Sequence, residues 1–223
     1  MAIVLIGCTA DPRKYQGLRS SEQLAEQKKG DFKYEYISPD FNAATYNSAI
    51  VDPVEIYNGD DNQFGSVSQK DRTYLADYIN KVFPKTISKQ YTLTTEPGPN
   101  TLRIHITLTG IKKSTPVLST LSHASSFGLV TNGVLQAVGE NGTAYGAVYY
   151  AVEIFDSQSS RLLYAHVTVQ TPDALDVTAS FGYLDAAREG VRIGAQHLVR
   201  KLNKLSKQAP KTSVIEKTGT IGK

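Results

Sequence analysis

One cysteine and four histidines are the side chains of this 223-residue chain best equipped for chemistry. Cys8 closes the apolar run Ile3-Val4-Leu5-Ile6-Gly7, and Thr9 and Ala10 follow at once. An apolar run ending in small residues is what a signal peptidase reads. The same run also fits a buried first strand with an inert thiol, since free cysteine is among the most buried residue types. A single cysteine excludes an intramolecular disulfide and a multi-cysteine metal site. His105, His123, His166 and His197 stand at no metal-ligand spacing. His105 and His166 fall on strand positions expected to face away from the core. Asp52 shares a strand face with Ile50 and Val54. An inward acid there either bonds backbone at a strand end beside Pro53, or has a perturbed pKa and a function. Asp60-Asp61-Asn62 lacks the alternating ligands and closing Glu of a calcium loop and reads as a solvated loop. These residues make no catalytic constellation, so the expectation is a protein without catalytic activity, metal or cofactor. The alternative is an enzyme in which Asp52, His105 and His166 converge in one pocket.

The elements that must position these groups follow from apolar spacing. Residues 9–40 are polar and patchy, with a short extended stretch at Phe32, Tyr34, Tyr36 and Ile37; residues 8–44 are expected to be a tether. The stretch 48–57 reads as a strand, with Pro53 marking an edge or a bulge because it cannot donate to a ladder. Ser68 and Asp71 form a weak capping box for a helix whose Leu75, Tyr78, Ile79, Val82 and Phe83 face a core. Pro84 should end or kink that helix. Residues 91–95 read as a short strand, and Glu96-Pro97-Gly98-Pro99-Asn100 is a strong turn signal. Residues 101–109 alternate, with Leu102, Ile104, Ile106 and Leu108 inward and Thr101, Arg103, His105, Thr107 and Thr109 outward. Val148, Tyr150, Val152 and Ile154 give a further strand its inward face. Leu163, Ala165, Val167 and Val169 do the same for its hairpin partner. Leu184, Ala187, Val191, Ala195, Leu198, Leu202 and Leu205 make the stripe of a last helix. Gly190 and Gly194 inside it suit close helix–sheet or helix–helix contact. The expected fold is an α/β (α+β) two-layer sandwich: a mixed, mainly antiparallel sheet of four to five strands, with two main helices on one face and solvent on the other. Residues 45–206 form its domain, and residues 207–223 read as a disordered tail.

Charge and composition narrow the partners. Twenty-four basic residues against 21 acidic ones leave a net charge of +3, too little to argue for nucleic acid without a clustered basic face. No apolar run approaches the roughly 20 residues of a membrane span. Residues 114–139 carry no Asp, Glu, Lys or Arg. Depletion of charge is typical of interface cores, so Phe127, Leu129, Val130, Val134 and Leu135 are a candidate partner surface, for an envelope protein or a second copy. A crossover helix buried on the sheet would read the same way.

Two resemblances go further. Leu5-Ile6-Gly7-Cys8 resembles the lipobox of bacterial lipoproteins. That resemblance implies thioether attachment of diacylglycerol to Cys8, cleavage before it and acylation of the new amino terminus. Residues 1–7 are then the remnant of a lipoprotein signal peptide, shorter than the usual n- and h-regions. The segments Val51-Asp52-Pro53-Val54-Glu55-Ile56, Leu75-Ala76-Asp77-Tyr78, Glu96-Pro97-Gly98-Pro99-Asn100-Thr101-Leu102-Arg103-Ile104, Thr115-Pro116-Val117-Leu118 and Val152-Glu153-Ile154-Phe155-Asp156-Ser157 together resemble the bacterial lipoproteins grouped as Domain of Unknown Function 3313. Lys14-Tyr15-Gln16-Gly17-Leu18 is similar to the segment after the lipid cysteine there. This implies a lipidated envelope protein of Gram-negative bacteria, with Cys8 as the only site to carry over and a membrane partner through its lipid. Thr9 in place of Asp after Cys8 implies the periplasmic face of the outer membrane. More distantly, the strand–helix–strand order looks like small periplasmic assembly accessories. If the run before Cys8 is a strand, the chain is instead a cytoplasmic structural protein.

Overall fold

The structure is a computed structural model that describes residues 11–113, 146–171 and 182–208. Its strands are β1 (Ala25–Glu26), β2 (Tyr34–Ile37), β3 (Ser48–Val51), β4 (Glu55–Ile56), β5 (Thr92–Leu93), β6 (Thr101–Lys112), β7 (Ala147–Asp156) and β8 (Leu162–Gln170). Helix α1 spans Gln69–Ile87, and helix α2 spans Tyr183–Ser206. The strands make one mixed, mostly antiparallel sheet in the order β1-β2-β8-β7-β6-β3-β5, with β4 also on β6. Eight strands replace the four or five expected, because the presumed tether supplies β1 and β2 and the expected strand 48–57 is divided into β3 and β4.

Both helices lie on one face, in a two-layer α+β arrangement. Leu75, Ile79, Phe83 and Ile87 of α1 and Ala187, Val191, Leu198 and Leu202 of α2 pack on Leu102, Ile104, Ile106, Leu108, Val148, Tyr150, Val152 and Ile154. The Ser68 hydroxyl accepts from the Asp71 N–H at 3.2 Å and so caps the helix. The Asp71 carboxylate accepts from that hydroxyl and not from the Ser68 N–H, as a full capping box would require. Helix α1 runs through Pro84 to Ile87 instead of ending there. The tertiary burial of Phe83 and Ile87 outweighs the one lost backbone bond. A Cβ on Gly194 would lie 1.7 Å from the Tyr150 hydroxyl, and one on Gly190 would lie 2.8 Å from the Gln170 carbonyl. These two glycines therefore let α2 press directly on β7 and β8.

The expected strand 48–57 is broken. Val51 pairs with Ile104 and Glu55 with Thr107, so four steps on one strand face three on the other, with Pro53 in the extra step. Asn80 Oδ1 on α1 accepts the Val54 N–H that the break releases. In the 96–100 turn, Asn100 takes a left-handed backbone, φ 57°.

The opposite face of the sheet is not left to solvent. Tyr15, Leu18 and Leu24 are buried there against Tyr57, Ala151, Ala165 and Val167. Residues 11–24 thus form a strap over the sheet, and residues 25–37 supply its edge strands β1 and β2. This corrects the reading of residues 8–44 as a tether wherever they are described, and of a core beginning near Thr45. It also corrects β8. Tyr164 and His166 pair with Ile154 and Val152 and share their helix-facing side, whereas Ala165 and Val167 face the strap. With both faces covered, the apolar residues of β8 no longer mark the helix side, and a one-residue change of parity swaps the two sets.

Candidate functional site

The strap is held by side chains more than by a backbone ladder. The Gln16 N–H donates to Asp61 Oδ2 at 2.9 Å, and the Gly17 N–H donates to the Tyr57 hydroxyl at 3.0 Å. That hydroxyl donates to Asp61 Oδ1 at 2.6 Å. The Ser20 N–H donates to Glu153 Oε1 at 2.6 Å, and the Tyr15 hydroxyl to Gln63 Oε1 at 2.5 Å. Gln63 in turn reaches the Asp11 carbonyl. Asp61 belongs to the loop read as solvated; here it is the clasp that receives the strap's turn. Burial pushes the Glu153 carboxyl up, and burial followed by the hydrogen bond to Asp61 raises the Tyr57 hydroxyl.

Beneath the strap, Asp52 and His105 meet. His105 lies on β6 opposite Glu153 of β7, and its Nδ1 is 2.9 Å from Asp52 Oδ2. Arg103, two residues earlier on the same face, grips both oxygens of Asp52 through Nε and NH2. Arg19 of the strap stands 3.1 Å from His105 Nε2. A guanidinium can only donate. Nε2 is therefore the acceptor, and Nδ1–H is directed at Asp52. Burial depresses the His105 pKa, with Arg19 and Arg103 adding to the effect against the pull of Asp52. The ring is neutral and fixed in one tautomer. A cavity of about 270 Å³ adjoins it, with Arg19, Glu55, Tyr57, Thr107 and Glu153 among its walls. The pair is a base oriented by an acid, but a substrate reaches Nε2 only by displacing Arg19. Of the wall hydroxyls, that of Tyr57 is engaged by Asp61 and Gly17.

His166 does not join them. It lies on the helix face, 2% exposed, with its ring stacked 3.9 Å from that of Phe32. Its Nδ1 has no hydrogen-bond partner. Burial, with the Lys201 charge behind it, lowers its pKa to about 3. Lys201 itself bonds Glu35 at 2.7 Å, and Glu35 accepts from the Tyr164 hydroxyl, tying α2 to β2 and β8. His197 borders a separate cavity with Arg200, Lys201 and Lys204. Cys8, His123 and the surface Phe127, Leu129, Val130, Val134 and Leu135 lie outside the described residues. Among the described residues no group of three or more His, Cys, Asp or Glu could hold a metal, and no helix is long and apolar enough to cross a membrane.

A third feature opens where the strap begins. Asp11, Arg13, Lys14, Lys33, Lys112 and Lys113 ring a cleft of about 670 Å³ with Phe64, Ile111 and Tyr149 in its walls. Sequence reasoning missed Arg19, Tyr57, Gln63 and Glu153. Only Glu153 left a signal: it is the one acid between Ala147 and Phe155, and a buried acid needs a partner.

Solved structures of similar shape are remote. A PelC dodecamer from Paraburkholderia phytofirmans is 7% identical, with 74% of this chain and 94% of that chain covered and a TM-score of 0.38. A DUF330 family protein from Xanthomonas campestris is 8% identical, covering 78% and 94% with a TM-score of 0.36. A neuraminyllactose-binding hemagglutinin homolog from Helicobacter pylori is 12% identical, covering 83% and 92% with a TM-score of 0.36. No curated protein matches the chain. The model of one family does match, from residue 14 to residue 198, which takes in most of the strap, the whole sheet, α1 and most of α2. The chain therefore belongs to the family described as Protein of unknown function (DUF3313).

Proposed function

We propose that this protein is a lipid-anchored envelope protein of a Gram-negative bacterium, attached through Cys8 to the periplasmic face of the outer membrane, and that it works by binding or assembly and not by catalysis. The observation that carries the reading is the strap. Of the residues an enzyme would have used, His105 is committed to Asp52 and Arg19, and His166 lies on the other face. The remaining polar groups under the strap hold it: Glu153 accepts from Ser20, and Asp61 accepts from Gln16 and Tyr57. Membership of the family supports the envelope location. The partner, an envelope protein or a second copy, would be met through the uncharged residues 114–139, with Phe127, Leu129, Val130, Val134 and Leu135 as contacts. Multiple acyl chains make an anchor at Cys8 stable where one would not.

The test is mass spectrometry of the mature amino terminus, together with fractionation of cells carrying Cys8→Ser in the full-length precursor. The expected result is an acylated Cys8 in the native protein and a soluble periplasmic variant. Membrane association untouched by Cys8→Ser would sink the anchor. An envelope pulldown with and without residues 114–139 tests the partner surface, and equal capture by both forms removes it.

A further inference from the structure

We infer that the cleft at the start of the strap is a contact for the anionic phospholipid headgroups of the leaflet that carries the anchor. This rests on the reading of Cys8 as the lipidated residue. Asp11, the first described residue, borders the cleft. Three residue steps separate Cys8 from Asp11, a span of at most about 10 Å. An acylated Cys8 therefore holds this cleft at the headgroup layer. A tether of 37 residues would have left the orientation of the domain free; a docked strap does not.

The charge of the cleft matches that position. Arg13, Lys14, Lys33, Lys112 and Lys113 line the cleft with one carboxylate among them, Asp11, so the lining itself is net positive. Glu26 lies 4.0 Å from Lys33, and the Asp61 and Asp71 charges act on Arg13 and Lys113 from outside the lining. Lys33 is paired with Asp11 at 2.8 Å, which leaves Arg13, Lys14, Lys112 and Lys113 in excess. Arg13, Lys14 and Lys113 are exposed, and Lys112 is half-buried. Phe64 of the 59–67 loop, Ile111 of β6 and Tyr149 of β7 are buried and supply apolar parts of the walls. Clustered lysines and arginines beside a membrane are drawn to acidic lipid and lose that attraction as salt rises.

The experiment uses the full chain bearing Cys8→Ser, so that no acyl chain contributes, in sedimentation with two kinds of vesicle. One is phosphatidylcholine alone; the other contains about 30% phosphatidylglycerol. Binding is expected to the second only, to weaken from low to physiological salt, and to fall about tenfold or more in Lys14→Glu/Lys112→Glu. Lys85→Glu/Lys89→Glu, with the same charge change at the far end of α1, is expected to bind nearly as well. Equal loss in both pairs would show a net-charge effect and overturn the inference. Equal binding to both vesicles would also overturn it. Displacement by millimolar inorganic phosphate would mark a soluble-anion site instead. Should charge reversal disturb the fold, seen by circular dichroism, Arg13→Gln/Lys14→Gln carries the same test. The two readings fail separately. An unacylated Cys8 with intact vesicle binding removes the anchor alone. An acylated Cys8 with binding indifferent to the cleft pair removes the cleft alone.

Discussion

At the scale of single residues, the buried ionisable groups set the pH response. His166 has a folded pKa of about 3, against an ordinary value near 6.5. Between those values the unfolded chain binds the extra proton and the fold does not, so stability rises with pH across that window. Urea midpoints should accordingly fall as pH drops from about 6.5 toward 3. His166→Phe should flatten that slope, because the new ring still stacks on Phe32 and the unpartnered Nδ1 is gone. An unchanged slope would show that His166 is not the titrating group. Glu153 behaves in the opposite sense. Its folded pKa is raised, so the fold holds its proton longer than the unfolded chain, and stability falls as pH rises from the ordinary glutamate range through the raised value. Glu153→Gln keeps an acceptor for the Ser20 N–H and should be at least as stable as wild type at pH 7. Glu153→Ala leaves that buried N–H bare and should cost about 1–3 kcal/mol by denaturant titration. Asp52 was legible as an acid beside Pro53, but its meeting with Arg103 and His105 was not. Both of those were placed on the outward face, and Arg19, which meets His105, was placed in the tether.

At the scale of elements, local pattern succeeded wherever an element buries one face on one core. The stripes of α1 and α2, the alternation of β6, the inward face of β7, the existence of its hairpin with β8 and the turn at 96–100 all stand as read. Pro53 marked a bulge, as a residue that cannot donate to a ladder should. Pattern failed for β8, whose two faces are both covered, and for the strap, whose backbone bonds side chains and so needs no period. The close approach of α2 is a further element-level consequence of sequence. Gly194→Leu would drive a side chain into the Tyr150 hydroxyl. Overpacking of this kind typically costs about 1–3 kcal/mol, and the thermal midpoint should drop accordingly. The strap's turn is tied to one phenol as well as to the Asp61 carboxylate. Tyr57→Phe removes the acceptor for Gly17 and the donor to Asp61, and is expected to speed limited proteolysis within residues 11–24 while leaving the helices' far-ultraviolet signal intact. Unchanged cleavage would mean that the apolar contacts of Tyr15 and Leu18 hold the strap alone.

At the scale of the whole molecule, the strap converts a domain on a leash into one seated close to its attachment point. Hydrogen exchange measures this directly. The amide of Ser20, fully buried and bonded to Glu153, should exchange on the timescale of the sheet, whereas a tether would exchange at open-chain rates. Family and fold class were both readable from the chain, because an ordered series of short segments and the 2.0 and 3.6 periods survive in local windows. By itself, then, the sequence determined the α+β class, the two helices, the main strands and membership of the family. Only the tertiary structure decided that residues 11–41 belong to the fold, that Asp52 meets His105 under Arg19, and that His166 lies on the other side of the sheet. The physical reason is separation and parity. The strap's bonds join residues 40 to 133 positions apart, and the face of a strand turns on a single step of register, neither of which any local window contains.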